Sequence, residues 1–365
     1  MMKSFLMGLF LCAGLSACAS VDYAAPDPAA EMVELYQQDM QRAAIDLQLA
    51  RRARLYDLAW PVLKENVALC PQTKTSIGVV LAGREDLGAF VGGIDEDYLT
   101  RLGYGDDIKV LHAMAGSPAA EAGLAAGMAL LAVNGAELET RQAETAVAAI
   151  VEALDEDESV TVTIRDEAGT RDIAIEGVET CAAPVKMSTS DAINAMAATG
   201  DIVIHAGMMR AADDDTLQFV IAHELAHIAL AHRPKVIRNS IVSGAVLYGP
   251  VLYAGGMVAD TVLRLTGSQR SGSLSSRALA ASVPYMNEFE AEADYVGLYM
   301  LARAGGNIDA APELFTLFAT EKPESTWLLY THPLTPQRYA AVEAAVAEVK
   351  AKMAAGEELL PEKAE

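Results

Sequence analysis

The apolar positions of this chain change period twice. From residue 29 to 69 they recur at helical spacing among mixed charges, through Met32, Leu35, Leu47, Leu55 and Leu58. Pro61 is expected to break or kink that helix, because proline lacks the N–H that closes a turn. Residues 71–180 switch to short runs. Residues 77–80 and 108–111 read as strands, and 116–135 as a turn, a short helix, a glycine stop, a strand and an Asn134-Gly135 turn. A helix is expected over 141–154 and an alternating strand over 159–164.

Past residue 181 the helical period returns. Residues 188–197 read as a connecting helix or loop, and 201–208 as a strand. Asp213, Asp214 and Asp215 give the next helix an acidic start that suits the positive end of its dipole, and that helix is expected to run to about His232. Further helices are expected over 288–304 and 310–320 and up to about Met353, followed by an acidic tail from Gly356 that should fray. The uncharged run 241–259 carries Gly244, Gly249, Pro250, Gly255 and Gly256, and reads as an apolar loop or hairpin that packs on the domain or touches a membrane surface. Residues 266–280 are rich in Ser, Gly and Arg.

Composition narrows the classes. The chain has 365 residues, enough for two domains, and its 52% hydrophobic content supports a large core. A net charge of −23 disfavours nucleic acid, whose phosphates need a basic surface. Lys3, an apolar run over 5–15 and Ser16-Ala17-Cys18 describe a secretory signal, too short for the ~20 residues of a span. Of four cysteines, Cys12 lies in that signal and Cys18 at its end. Cys70 and Cys181 are left as an isolated pair in an exported protein, and read as a disulfide. They flank residues 71–180, so that module reads as an insertion stapled at its base, with the segments on either side forming one domain.

The chemistry centres on His223-Glu224-Leu225-Ala226-His227, inside an apolar helical run. Two histidines four apart lie on one helix face and can share a zinc ion, with Glu224 beside them as a base toward water. A hydrolytic zinc site needs a third ligand. A histidine ten residues after the first is absent, since Arg233 stands there and His232 is one residue early. His232 reads as a structural or helix-end residue, its cation suiting a C-terminal dipole. The other source is a carboxylate from 287–294, where Glu290 and Asp294 share a face, so that one could bind metal and the other orient a ligand histidine. Ala291 and Ala293 would allow close helix packing there.

Three resemblances extend this reading. Leu15-Ser16-Ala17-Cys18 resembles the lipobox of bacterial lipoproteins, which implies acylation of Cys18; Ala19 after it implies the outer membrane, facing the periplasm. Residues 116–124, Gly-Ser-Pro-Ala-Ala-Glu-Ala-Gly-Leu, resemble PDZ domains of bacterial periplasmic proteases, with Met128 where that family has Asp. The resemblance implies that Ile77, Gly78 and Val79 form the loop that receives a peptide carboxylate, the peptide adding a strand to the sheet edge. The motifs H-E-L-A-H, E-A-E-A-D and T-H-P-L-T-P-Q-R, in that order, resemble the HtpX/BepA group of zinc metallopeptidases, the minigluzincins. That resemblance makes His223, His227 and Glu290 the ligands of one Zn2+, Glu224 the base, Asp294 the partner of a ligand histidine, His332 a residue near the metal that closes its open position at rest, and Arg338 a brace for the His332 loop.

The fold class expected is α+β: a mainly helical zincin-like metallopeptidase domain with a small sheet, carrying an inserted PDZ β-sandwich or partial barrel. Its divisions are a signal at 1–17, a tether at 18–28, a peptidase helix at 29–70, the PDZ module at 71–180, the peptidase domain at 181–355 and a flexible tail at 356–365. The function expected is a periplasmic zinc endopeptidase acting on unfolded or misassembled envelope proteins, with outer-membrane assembly machinery as a partner and an exposed edge of the 201–208 strand holding the substrate. The rivals are a catalytically quiet chaperone and a signalling protease with one defined substrate.

Overall fold

The computed structural model describes residues 26–91, 96–101, 104–138, 142–198, 200–242, 286–321, 332 and 335–363. The signal, Cys18, most of the 241–259 run and all of 266–280 lie outside them. The chain divides into a unit of residues 1–44 and a unit of residues 45–365. No helix among the described residues is long and apolar enough to cross a membrane.

Helix α1 (Ala30–Glu65) begins in the first unit, where most of its residues are exposed. In the second unit it buries Leu55, Ala59, Trp60, Val62 and Leu63. It runs through Pro61 rather than ending there. Proline removes one backbone donor, and the buried residues on both sides of it hold the helix in line. Beyond it, the Asn66 side-chain amide donates to the Val62 and Met300 carbonyls, both at 2.9 Å. A 3-10 turn (Val67–Leu69) then leads to Cys70.

The sheet domain comprises β1 (Thr73–Ser76), β2 (Val79–Ala82), α2 (Arg84–Val91), α3 (Glu96–Arg101), β3 (Ile108–Ala113), α4 (Pro118–Glu121), β4 (Ala129–Val133), β5 (Ala136–Glu137), α5 (Ala143–Asp157), β6 (Ser159–Asp166), β7 (Gly169–Glu176) and β8 (Val178–Cys181). Its antiparallel sheet has the order β2-β3-β4-β6-β7, with β5 off β4. Ile150 and Leu154 of α5 pack against Ile108, Val110, Leu130, Val160, Val162 and Ile164. Strand β1 pairs with β8, from Thr73 opposite Cys181 to Ser76 opposite Val178. The Cys70–Cys181 disulfide closes that base, with Cα atoms 5.6 Å apart. The expected 77–80 strand is interrupted at Gly78, whose φ of +70° separates β1 from β2. A Cβ there would also lie 2.3 Å from Ser117 Cβ and 3.0 Å from the Trp60 ring.

The helical half begins with β9 (Val185–Ser188), β10 (Ala195–Ala198) and β11 (Asp201–His205), in the order β10-β11-β9. Three expectations change here. Residues 188–197 hold the end of β9 and most of β10 rather than a connecting helix. Strand β11 stops at His205, which caps α6 (Ala206–Ala211). It is also the central strand, so the edges belong to β10 and β9.

Then come α7 (Asp214–Ala229), α8 (His232–Val242), α9 (Met286–Arg303), a 3-10 turn (Ile308–Ala310), α10 (Ala311–Glu321) and α11 (Pro336–Ala355). Asp213 caps α7 by accepting from the Thr216 amide at 2.8 Å. Phe219 and Ile221 of α7, Leu298 and Tyr299 of α9, Val342 and Val349 of α11 and Leu55 and Val62 of α1 share one core.

The described part of the tail, to residue 363, folds back on the domain. Gly356, at φ +68°, reverses the chain. Leu359 then packs on the core, and Lys352 and Arg303 donate to the Leu360 and Leu359 carbonyls.

Helix α1 joins both halves. Arg54 donates to Asp214 at 2.5 Å and to the Met209 and Ala212 carbonyls. On the sheet domain, Asp57 Oδ1 accepts from the Ala115 amide and lies 2.7 Å from His112 Nε2, and Trp60 Nε1 donates to the Gly116 carbonyl.

Candidate metal centre

Helix α7 is apolar on nearly every side because it lies inside the core; residues from Leu217 to His227 are buried, apart from the partly covered Gln218. Helix α9 crosses it closely. Gly297 makes this possible, since a Cβ there would stand 2.9 Å from His223 Cα and 3.0 Å from His223 N. Ala222, Ala226 and Ala293 are likewise wholly buried.

The approach brings four donors together. His223, His227, Glu290 and His332 each present an atom within 4.8 Å of the others. His223 Nε2 and His227 Nε2 are 3.0 Å apart. Glu290 Oε1 lies 3.3 Å from His227 Nε2, and Glu290 Oε2 lies 3.5 Å from His223 Nε2. His332 Nδ1 is 2.8 Å from Glu290 Oε2 and 3.3 Å from His223 Nε2.

Glu224 is 1% exposed; one of its oxygens lies 3.3 Å from His332 Nε2, and the other has no hydrogen-bond partner. The Ala197 amide of β10 hydrogen-bonds this carboxylate. Asp294 Oδ1 lies 2.9 Å from His223 Nδ1. Arg338 sits on α11 and grips both Asp294 oxygens at 2.8 Å, with Glu290 Oε2 at 3.2 Å. It therefore braces the carboxylates of α9; most of the loop around His332 lies outside the described residues.

Burial sets the charges. It pushes the Glu224 carboxyl up and takes the His227 imidazole down to about 3. It also opposes a charged His223, but Asp294 and Glu290 outweigh it and raise that imidazole to about 10. Glu290 is held well below the usual carboxylate range, its burial outweighed by His332, His227 and Arg338. Without a metal, His223 is thus held protonated and His227 neutral, and a metal bound there would displace the His223 proton.

These residues fit zinc. Bonds of about 2.0–2.1 Å in a tetrahedron separate ligand atoms by roughly 3.3 Å, close to the 2.8–3.5 Å found. Two neutral imidazoles and a carboxylate are a common donor set for that ion.

The expected helix to His232 is corrected. Helix α7 ends at Ala229, and Ala231, at φ +51°, turns the chain so that His232 opens α8. His232 is 1% exposed, with Nδ1 2.8 Å from His227 Nδ1 and Nε2 3.0 Å from Glu292 Oε2. Burial lowers its pKa, and its contacts give it the structural role that the sequence also allowed. Ile77 and Gly78 lie far along the chain, between β1 and edge strand β2, which Val79 opens; the Gly78 amide donates to Ser76 Oγ at 3.2 Å.

A buried helix with two histidines and an adjacent glutamate, completed by a carboxylate from the next core helix, defines a metallopeptidase site. Comparison with known proteins narrows the class. Residues 170–346 match peptidase family M48 and residues 109–166 match the PDZ domain, so the chain carries an M48 zinc metallopeptidase domain and a PDZ domain. The M48 match begins within β7, which still pairs with β6 in the PDZ sheet. A protein of Vibrio cholerae described as a beta-barrel assembly-enhancing protease is 32% identical over 157 residues, covering 40% of this chain. The match spans 31% of that protein's length.

Proposed function

We propose that this protein is a zinc endopeptidase of the bacterial envelope, anchored to the outer membrane through acylated Cys18, facing the periplasm and acting on unfolded or misassembled proteins. The observation that carries the reading is Glu224, a buried carboxylate with an unpartnered oxygen beside the donors His223, His227 and Glu290. A purely structural metal site has no use for it. Bound by those three residues, zinc would supply a Lewis acid that acidifies water and polarises a peptide carbonyl.

The chain's own groups do the rest. Glu224 takes a proton from the attacking water and returns it to the leaving amine, and burial raises its carboxyl toward the range that suits this transfer. Asp294, held by Arg338, keeps the His223 ring oriented. Strand β10 is the edge beside Glu224, so an extended substrate adding to it would lay its carbonyls along the site. Backbone pairing gives little sequence preference, as clearance of unfolded chains requires. The PDZ sheet ends in edge strand β2, with α5 packed beside it, which supports recognition or regulation by a peptide terminus. Kinship with a protein named for β-barrel assembly supports the same setting.

His332 stands in the fourth donor position, which favours a resting state that is catalytically quiet. The test measures zinc content and casein cleavage for wild type and Glu224→Gln. Retained zinc with cleavage lost is expected. If zinc-loaded wild type and zinc-loaded His332→Ala both cleave neither casein nor an unfolded outer-membrane protein, the chaperone is favoured. His332→Ala should raise activity, and a fall would defeat its role as a closure.

A further inference from the structure

His223 has Asp294 behind it, and the structure places a different device behind His227. We infer that His232, held in turn by Glu292, is a positioning residue that fixes the tautomer and orientation of His227. The inference rests on the proposed reading in which His227 Nε2 is a zinc donor.

The proton arrangement follows from the contacts. His227 Nε2 faces Glu290 and His223 at 3.3 and 3.0 Å, and a neutral imidazole that gives this lone pair to a metal carries its proton on Nδ1. His227 Nδ1 lies 2.8 Å from His232 Nδ1, so that proton is donated to His232. His232 Nδ1 must then be bare and its proton must sit on Nε2, 3.0 Å from Glu292 Oε2. With His227 Nε2 bare, this is the one arrangement in which both outward contacts are hydrogen bonds. The carboxylate strengthens the donor at the far end of the chain, because each hydrogen bond pulls electron density toward the next nitrogen.

The supports of His232 are built in. It is 1% exposed and stacks on Phe289 of α9, with centroids 4.8 Å apart and planes 24° from parallel. The turn at Ala231 swings it back over α7. One helix, α9, thus supplies the donor Glu290, the carboxylate behind His223 and the carboxylate behind His232.

The experiment titrates zinc against a chelator in the full-length protein. His232→Phe keeps the ring and its stacking but removes the acceptor; it should weaken zinc by about 10–100-fold. His232→Asn, whose Oδ1 takes the place of Nδ1, should stay near wild type. Glu292→Gln should weaken zinc by a smaller factor, and it decides the matter if the Phe variant fails to fold. In the zinc-loaded wild type, long-range 15N NMR should report a protonated Nδ1 on His227. Tight binding by His232→Phe, or wild-type binding by Glu292→Gln where the Phe variant does not fold, overturns the inference and leaves the zinc reading intact. A wild type that binds no zinc overturns the zinc reading, and this inference with it.

Discussion

Gly297 allows the closest approach of α9 to α7, and adding one methyl group there tests how the metal centre is held. In Gly297→Ala the new Cβ would lie 2.9 Å from His223 Cα, 3.0 Å from His223 N and 3.2 Å from Ala222 C. All three are backbone atoms, so no side-chain rotation relieves the contact. Restoring an ordinary separation of about 3.5–4.0 Å requires the helices to part by roughly 0.6–1 Å. Overpacking of this kind costs about 1–3 kcal/mol, and replacing a helical glycine by alanine returns about 1 kcal/mol. The net cost to metal-free stability is therefore about 0–2 kcal/mol. Metal affinity is the sensitive readout, because α9 carries Glu290 and Asp294 while ligand distances tolerate only about 0.2 Å. Zinc should bind at least about tenfold more weakly in a chelator competition, and the rise in Tm on adding zinc should shrink by the equivalent of about 1.4 kcal/mol. Wild-type zinc affinity in a folded Gly297→Ala protein would refute the claim that this close crossing sets the donor spacing.

Two further perturbations address the scaffold. Asp213→Ala removes the cap of α7 and should cost about 1 kcal/mol at pH 7. Hydrogen bonds from Thr216 hold the Asp213 carboxyl below its ordinary range, so its contribution is complete above the unfolded pKa and disappears as pH falls through the folded one. Wild type and variant should therefore converge in denaturant midpoint below about pH 4, and a constant difference down to pH 2 would argue against the cap. Replacing Cys70 and Cys181 together by serine releases a sequence separation of 111 residues. If unfolding is a single transition, the loss should approach about 4–5 kcal/mol. Wild-type protein whose unfolding ignores reductant would show that the β1–β8 pairing alone holds the base of the sheet domain.

Much of the centre was legible in the chain because helical spacing is local. His223 and His227 lie one turn apart, and so do Glu290 and Asp294; Gly297 continues the latter stripe at the next turn. The acidic start of α7 and the turn at Asn134 and Gly135 were legible for the same reason, since caps and turns are chemistry among neighbours. Strands β8, β9 and β10 were not separated, because four residues hold too few alternations to declare a period, and β7 is mostly exposed. Of the two readings of His232, structural or helix-end, the buried contacts favour the structural one, and the end of α7 was placed too late because Ala231 leaves the helical region at a residue type that gives no warning.

The sequence by itself determined the donor types, their pairing along two helices, the presence of two modules and the cysteines that flank one of them, since each depends on residue identity and short spacing. Tertiary structure alone decided that β11 is the central strand of the small sheet, that Arg338 grips Asp294 and Glu290, that Glu292 backs His232, and at what distances the expected His332 meets Glu290 and His223. Those pairings span from 42 to 109 positions of chain, as in His332 with Glu290 and His332 with His223. No local periodicity reaches so far. They are selected when the buried faces of α7, α9 and α11 close on a shared core and each charged group brought inside must find a partner there.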